Sequence, residues 1–241
     1  MLSPDRHTMT RAQADAAQID VGLRQHMLRV YNYMASGVAL TGIVAYAVAS
    51  SPTMLQAIFG TPLQWVVMLA PFAFILVLSF GLHKLSLFAT QALFWLFAAT
   101  MGLSLASIFV VYTGESIARV FFITSASFGA LSLYGYTTKR DLTGMGSFMI
   151  MGLFGIVIAS VVNLFLKSSG LQFAISVIGV LVFAGLTAYD TQRIKSMYME
   201  SDGTETAGKK AVMGALSLYL DFVNMMMMLL FAPVDISVLW L

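Results

Sequence analysis

Residues 171–190 read LQFAISVIGVLVFAGLTAYD, and residues 211–231 read AVMGALSLYLDFVNMMMMLLF. Each run is long enough to cross a bilayer, which takes about 20 apolar residues. Each also carries one acid. Asp190 closes the first run, in Ala188-Tyr189-Asp190-Thr191-Gln192, and Asp221 sits midway along the second. A carboxylate at membrane depth is costly, so it faces a partner or a water-filled cavity. Of the 11 acids in the chain, these are the only two embedded in such runs.

The rest of the chain has the same character. Its 241 residues are 59% hydrophobic and 10% charged, whereas soluble domains carry about 25% charge. A soluble core could not hide so much apolar surface, so the bilayer is the expected solvent. Seven stretches are long enough to span it: Val30–Ser50, Leu63–Leu82, Leu87–Tyr112, Ile117–Tyr136, Met145–Leu166, Leu171–Asp190 and Ala211–Phe231. The sixth has room to continue through Ile194 toward Met199. The expectation is an all-α, polytopic membrane protein, a bundle of seven transmembrane helices over residues 30–241. Residues 1–29 precede it as a polar cytoplasmic segment, helical on the membrane surface from Ala12 to Arg29. The first apolar run starts late for a secretory signal and no Ala-x-Ala site follows, so it reads as a retained span.

Orientation follows from the basic residues. Arg6, Arg11, Arg24, Arg29, Lys84, Lys139, Arg140, Arg193, Lys195, Lys209 and Lys210 fall on one side, eleven in all, against two, Arg119 and Lys167, on the other. That split puts the N-terminus in the cytoplasm and the C-terminus outside. A net charge of +2 gives no reason to invoke nucleic acid, and the absence of cysteine excludes disulfides and Cys-based metal sites. No repeat is visible, which leaves the inverted-repeat transporter architecture without support. Small residues recur at helix-packing spacing, as in Ala98/Gly102/Ala106, Ser125/Gly129 with Ala126/Ala130, and Gly155/Ala159; such stripes let helices approach closely in lipid. Pro71 lies within the second span, where a kink is expected. The longest loop, Lys195–Lys210, is expected to be mobile.

The sixth and seventh spans are consecutive, antiparallel and joined by a short loop, so they should be neighbours. If the sixth helix runs to Met199, Asp190 lies about nine residues, or about 14 Å, from its cytoplasmic end. A seventh helix beginning near Val212 puts Asp221 at a similar depth. Asn224 lies at i+3 from Asp221 and Thr187 at i−3 from Asp190, giving the pair polar company. Two carboxyls in contact at low dielectric cannot easily both be ionised and exchange protons as a unit. Protonated, they tie the helices; deprotonated, they repel, and their oxygens suit a hard cation such as Ca²⁺. The alternative is a permanent polar clasp that only stabilises the bundle.

Other candidates carry less. His83-Lys84 ends the second span as a topology anchor or as a cationic partner for the acids. Met225–Met228 point all round a helix and cannot converge on one metal ion. Tyr31, Tyr33, Tyr134 and Tyr136 read as interfacial belt residues, and Glu115 as a solvated outer-loop acid. Among enzymes, the serine-protease, zinc-hydrolase and retinal patterns are missing. An intramembrane aspartyl protease would place Tyr-Asp on one helix and Gly-x-Gly-Asp on the next. Tyr189-Asp190 fits the first half, but Leu218-Tyr219-Leu220-Asp221 lacks both glycines of the second. The sequence therefore reads as a non-enzyme.

Ala188-Tyr189-Asp190-Thr191-Gln192 followed by Leu216-Ser217-Leu218-Tyr219-Leu220-Asp221-Phe222-Val223-Asn224 resembles the Bax inhibitor-1 family. His26-Met27-Leu28-Arg29-Val30-Tyr31 is similar to the start of that family's first span, and Met101-Gly102-Leu103-Ser104-Leu105 to its third. The resemblance implies a seven-helix bundle with the last helix central, and a calcium leak whose gate senses pH through two aspartates, here Asp190 and Asp221. Some members pair the acids with an arginine near the end of the second helix, where this chain has His83-Lys84; lysine does not replace arginine in a bidentate pair. The charged tail of eukaryotic members is missing from Val234–Leu241. A bacterial inner-membrane member is implied, needing no cofactor, with the lipid bilayer and Ca²⁺ or another cation as partners. Some bacterial relatives are instead linked to a membrane-bound quality-control protease as modulators, so an interaction protein stays open beside the leak.

Overall fold

The computed structural model describes residues 11–232. Arg6 and the Val234–Leu241 segment lie outside the described residues. Those that are described form nine helices and no strand: α1 (Arg11–Ala49), α2 (Pro52–Phe59), α3 (Leu63–Gly81), α4 (Leu87–Leu105), α5 (Ile108–Val111), α6 (Gly114–Thr137), α7 (Thr143–Leu166), α8 (Ser169–Ser196) and α9 (Thr204–Phe231). Seven spans are long and apolar enough to cross a membrane, with α4 and α5 sharing one. Polar caps mark several starts: the side chains of Ser51, Ser86, Thr113 and Ser168 each accept a backbone N–H from the first turn of the helix that follows, which satisfies donors no intrahelical carbonyl can reach.

Helix α9 is the centre of the bundle. It packs against α1, α4, α6 and α8, while α3 lies outside on α4 and α7 outside on α8. Leu218, Tyr219 and Met225 of α9 have no exposed surface, whereas Phe80 on α3 and Phe165 on α7 are more than three-quarters exposed. Lipid tails are as apolar as leucine, so tight backbone approach and interhelical hydrogen bonds must hold the helices together. Two glycines show this. A Cβ on Gly102 would sit 2.7 Å from the Thr41 carbonyl oxygen of α1, and one on Gly135 would overlap the Ala188 carbonyl of α8. The Ala98/Gly102/Ala106 stripe is therefore the α1–α4 seam, and all three residues are buried. Gly129 and Gly155 have nothing near their Cβ positions. At the α1–α4 seam the Thr41 hydroxyl reaches the Ala98 carbonyl (2.8 Å) and the Tyr219 hydroxyl (2.7 Å), while Tyr219 stands edge-on to Phe94 and Phe97.

The structure corrects several boundaries. The polar lead-in is continuous with the first span: α1 runs unbroken from Arg11 to Ala49. The Lys195–Lys210 segment is pinned rather than loose. Lys210 Nζ donates to the Met197 carbonyl (3.0 Å) and pairs with Asp202 (2.5 Å), and α9 starts eight residues earlier than Val212. Pro71 is buried inside α3 and does not end it. Three of the four tyrosines read as belt residues are half-buried and have partners on other helices. Tyr31 bonds Ser132, Tyr33 accepts from Gln91, and Tyr136 lies under the Lys195 ammonium. Glu115 pairs with Arg119 at 2.7 Å on the surface.

Candidate functional site

Helices α8 and α9 fix the relation between the two acids. Lys210 bonds the Met197 carbonyl, Gly214 abuts Ile194, and Gly179 abuts Met228. Opposed residue numbers thus sum to about 407, and the level of Asp221 on α8 falls near Leu186 and Thr187. Asp190 is three to four residues closer to the α8–α9 loop, an axial offset of about 5 Å at 1.5 Å per residue. On that numbering the two aspartates are about one turn apart along the backbone. No hydrogen bond joins them among the described residues.

Their surroundings differ. Asp221 is 5% exposed, and its Oδ2 has no hydrogen-bond partner among the described residues. Asp190 has a side chain 15% exposed and lies 4.0 Å from Arg193 Nη1, one turn along the same helix. A pair this long, on an arginine 57% exposed, contributes little stability. Asn224 and Thr187 are nearby but turned away: the Asn224 amide donates to the Leu220 carbonyl (2.8 Å) and the Thr187 hydroxyl to the Phe183 carbonyl (2.7 Å). His83 and Lys84 are exposed in the turn after α3, and among the described residues neither pairs with an acid. The cation beside the site is Arg193, which the sequence reading had placed only among the loop charges.

A second polar feature crosses the bundle beside the acids. Tyr31 Oη lies 2.6 Å from Ser132 Oγ, Ser132 Oγ lies 2.9 Å from Thr191 Oγ1, and Thr191 Oγ1 donates to the Thr187 carbonyl at 2.8 Å. Each hydroxyl has one proton, so the last bond fixes the others: Ser132 donates to Thr191 and Tyr31 donates to Ser132. This chain ties α1 to α6 to α8 next to Asp190. His26 is also buried near this end, its ring 5.7 Å from Tyr198 and its Nε2 without a partner among the described residues. The available signal for these groups was a polar side chain within an apolar span, but sequence alone did not say which of many such residues would meet.

Two carboxyls are few ligands for a hard cation that prefers six to eight oxygens. Among the described residues no cluster of three or more His, Asp or Glu side chains forms a metal cage.

Comparison with known proteins points the same way as the motif. Residues 23–232 match the family described as Inhibitor of apoptosis-promoting Bax1. The chain is similar to the inner membrane protein YbhL of Escherichia coli K12, 48% identical over 212 residues that cover 87% of this chain and 91% of the relative. It is 50% identical over 211 residues to the uncharacterized protein RP147 of Rickettsia prowazekii, covering 88% of this chain and 89% of that one. A Streptococcus pyogenes membrane protein is 34% identical over 215 residues, covering 88% and 93%. A match of this extent, on a bundle of seven spans with its last helix central, makes the chain an integral membrane protein of the Bax inhibitor-1 family.

Proposed function

We propose that the protein is a pH-sensitive cation leak of the bacterial inner membrane, passing Ca²⁺, with Asp190 and Asp221 as its sensor and as transient ligands for the ion. One observation carries this reading. The central helix holds a nearly buried carboxyl, Asp221, with an oxygen that has no partner among the described residues, and it packs against the helix that carries the second carboxyl, Asp190. A pure clasp would be expected to bond both oxygens; an intramembrane acid left with spare acceptor capacity suits an ion or proton that comes and goes. The eleven-to-two split of basic residues orients the bundle with the N-terminus inside and the C-terminus outside. Arg193 takes the role of counter-charge in place of Lys84. An aspartyl-protease reading fits less well, since Leu218 stands where a glycine would admit substrate and is fully buried.

The test is Ca²⁺ flux into proteoliposomes across a pH series, for the wild type and for Asp190→Asn and Asp221→Asn. The expected result is flux that changes with pH in the wild type and loses that dependence in each variant. Unchanged pH dependence in both variants would falsify the sensor role. No flux above empty liposomes at any pH would move the reading to an interaction protein, whose partner, a membrane-bound quality-control protease, should then co-purify with either variant.

A further inference from the structure

At the basic end of the bundle, the turn between α6 and α7 and the end of α8 border an open surface cavity of about 380 Å³. Lys139, Arg140 and Arg193 line it. Among the described residues neither Lys139 nor Arg140 makes an ion pair, and Arg193 has only its 4.0 Å approach to Asp190. One acid, Asp141, lines the same cavity, but its Oδ1 is already engaged. It accepts the Thr143 hydroxyl at 2.6 Å and the Thr143 backbone N–H at 2.9 Å, and these bonds hold its carboxyl below the usual carboxylate range. Three cations therefore face a space with one committed acid.

The wall is built rather than loose. Gln192 clamps the turn to α8: its Nε2 donates to the Arg140 carbonyl and its Oε1 accepts the Leu142 N–H, both at 2.8 Å. The 24-residue helix α7 starts at Thr143 in the same wall, so its positive end adds to the field. Two guanidiniums and an ammonium around a water-accessible cavity match the charge and the donor geometry of a phosphoryl group.

We propose that this cavity binds a phosphate-bearing anion, and that Arg193 links it to Asp190. An anion in the cavity competes with Asp190 for the Arg193 guanidinium, because 4.0 Å is too long for a committed ion pair. Binding itself does not depend on the leak; only its effect on the gate rests on that reading. The phosphoryl group comes either from a soluble phosphate or from the headgroup of an anionic phospholipid, since the cavity lies at the end of the spans.

The test measures binding without flux, on the full chain. Inorganic phosphate is titrated calorimetrically into protein in phosphatidylcholine nanodiscs, and retained phosphatidylglycerol is counted by native mass spectrometry. Wild type is expected to bind one or both probes. Lys139→Gln with Arg140→Gln should weaken binding at least tenfold, and each single change at least threefold. The fold should survive, since Gln192 holds the Arg140 backbone and not its side chain. Arg119→Gln with Lys167→Gln, at the opposite end, should leave binding unchanged. Asp190→Asn should change it by less than about twofold, since a 4.0 Å approach holds Arg193 only weakly. Phosphate binding in phosphatidylcholine assigns the soluble source, and retention of phosphatidylglycerol alone assigns the lipid. Neither probe binding to wild type, or equal binding by wild type and the Lys139/Arg140 double variant, overturns the proposal.

Discussion

Asp221→Asn separates a gate from a strut by its effect on stability. Asp221 is 5% exposed on the most buried helix, and its Oδ2 has no partner among the described residues. Leaving a buried polar group unpaired costs about 1–3 kcal/mol, and more when it is charged. Asparagine keeps the volume and removes the ionisable group, while its amide must still find acceptors. The net expectation at neutral pH is a gain of about 1 kcal/mol, or at least no loss. For a chain of this size that corresponds to a rise of about 2–4 °C in Tm. The assay is thermal unfolding of wild type and variant in the same nanodiscs, followed by circular dichroism, beside the flux series. Stability gained with pH dependence lost is the expected pairing, the usual signature of a group retained for function at a cost in stability. A loss of more than about 1 kcal/mol would refute the reasoning, because the carboxyl must then make a bond that holds the bundle.

Other outcomes follow from single contacts. Gly135→Ala should destabilise by about 2 kcal/mol or more, since its Cβ meets the Ala188 backbone, which cannot step aside. Gly155→Ala should be neutral in the same thermal assay, having nothing within 4 Å. Ser132→Ala breaks the chain between Tyr31 and Thr191 and should cost about 1–2 kcal/mol, read as a lower Tm. Asp141→Ala should fray the start of α7, seen as faster hydrogen exchange at residues 143–146. Because the Thr143 bonds lower the Asp141 pKa, their support is fully present above the ordinary carboxylate value of about 3.9 and is lost as pH falls through the lowered folded value. Acid should therefore reproduce the Asp141→Ala exchange pattern in the wild type. Phe substitution at Tyr219 removes one bond to Thr41, whose hydroxyl keeps the Ala98 carbonyl, so the loss should be no more than about 1.5 kcal/mol.

Much of the fold was legible because it rests on local properties. Apolar length sets each span, so residues 63–81 and 143–166 came out within two residues of the structure. Small-residue spacing marked the α1–α4 seam at Gly102. It also marked Gly129 and Gly155, which meet nothing, because a stripe says a helix can be approached and not that one approaches. The ends of α8 and α9 were harder. Helix continued through the polar residues 191–196 and 204–210, where hydropathy falls but capping and tertiary bonds such as Lys210 to Met197 sustain it. How α8 packs on α9, rather than the length of either, sets the relative level of the two aspartates. Which cation stands beside the acids was harder to read: among the described residues His83-Lys84, in the turn after α3, pairs with no acid, whereas Arg193 is three residues from Asp190 on the same helix.

The sequence by itself determined that this chain is a polytopic membrane protein, how many long apolar helices it forms, which acids lie within those apolar runs and which family it resembles, because each follows from residue type and order. Only the tertiary structure decided what those acids face. Whether Asp221 has a partner, whether Asp190 meets a lysine or an arginine, and whether Lys139, Arg140 and Arg193 share one cavity depend on contacts between helices. Those contacts are set by the rotation and offset of packed helices, to which apolar length and periodicity are blind.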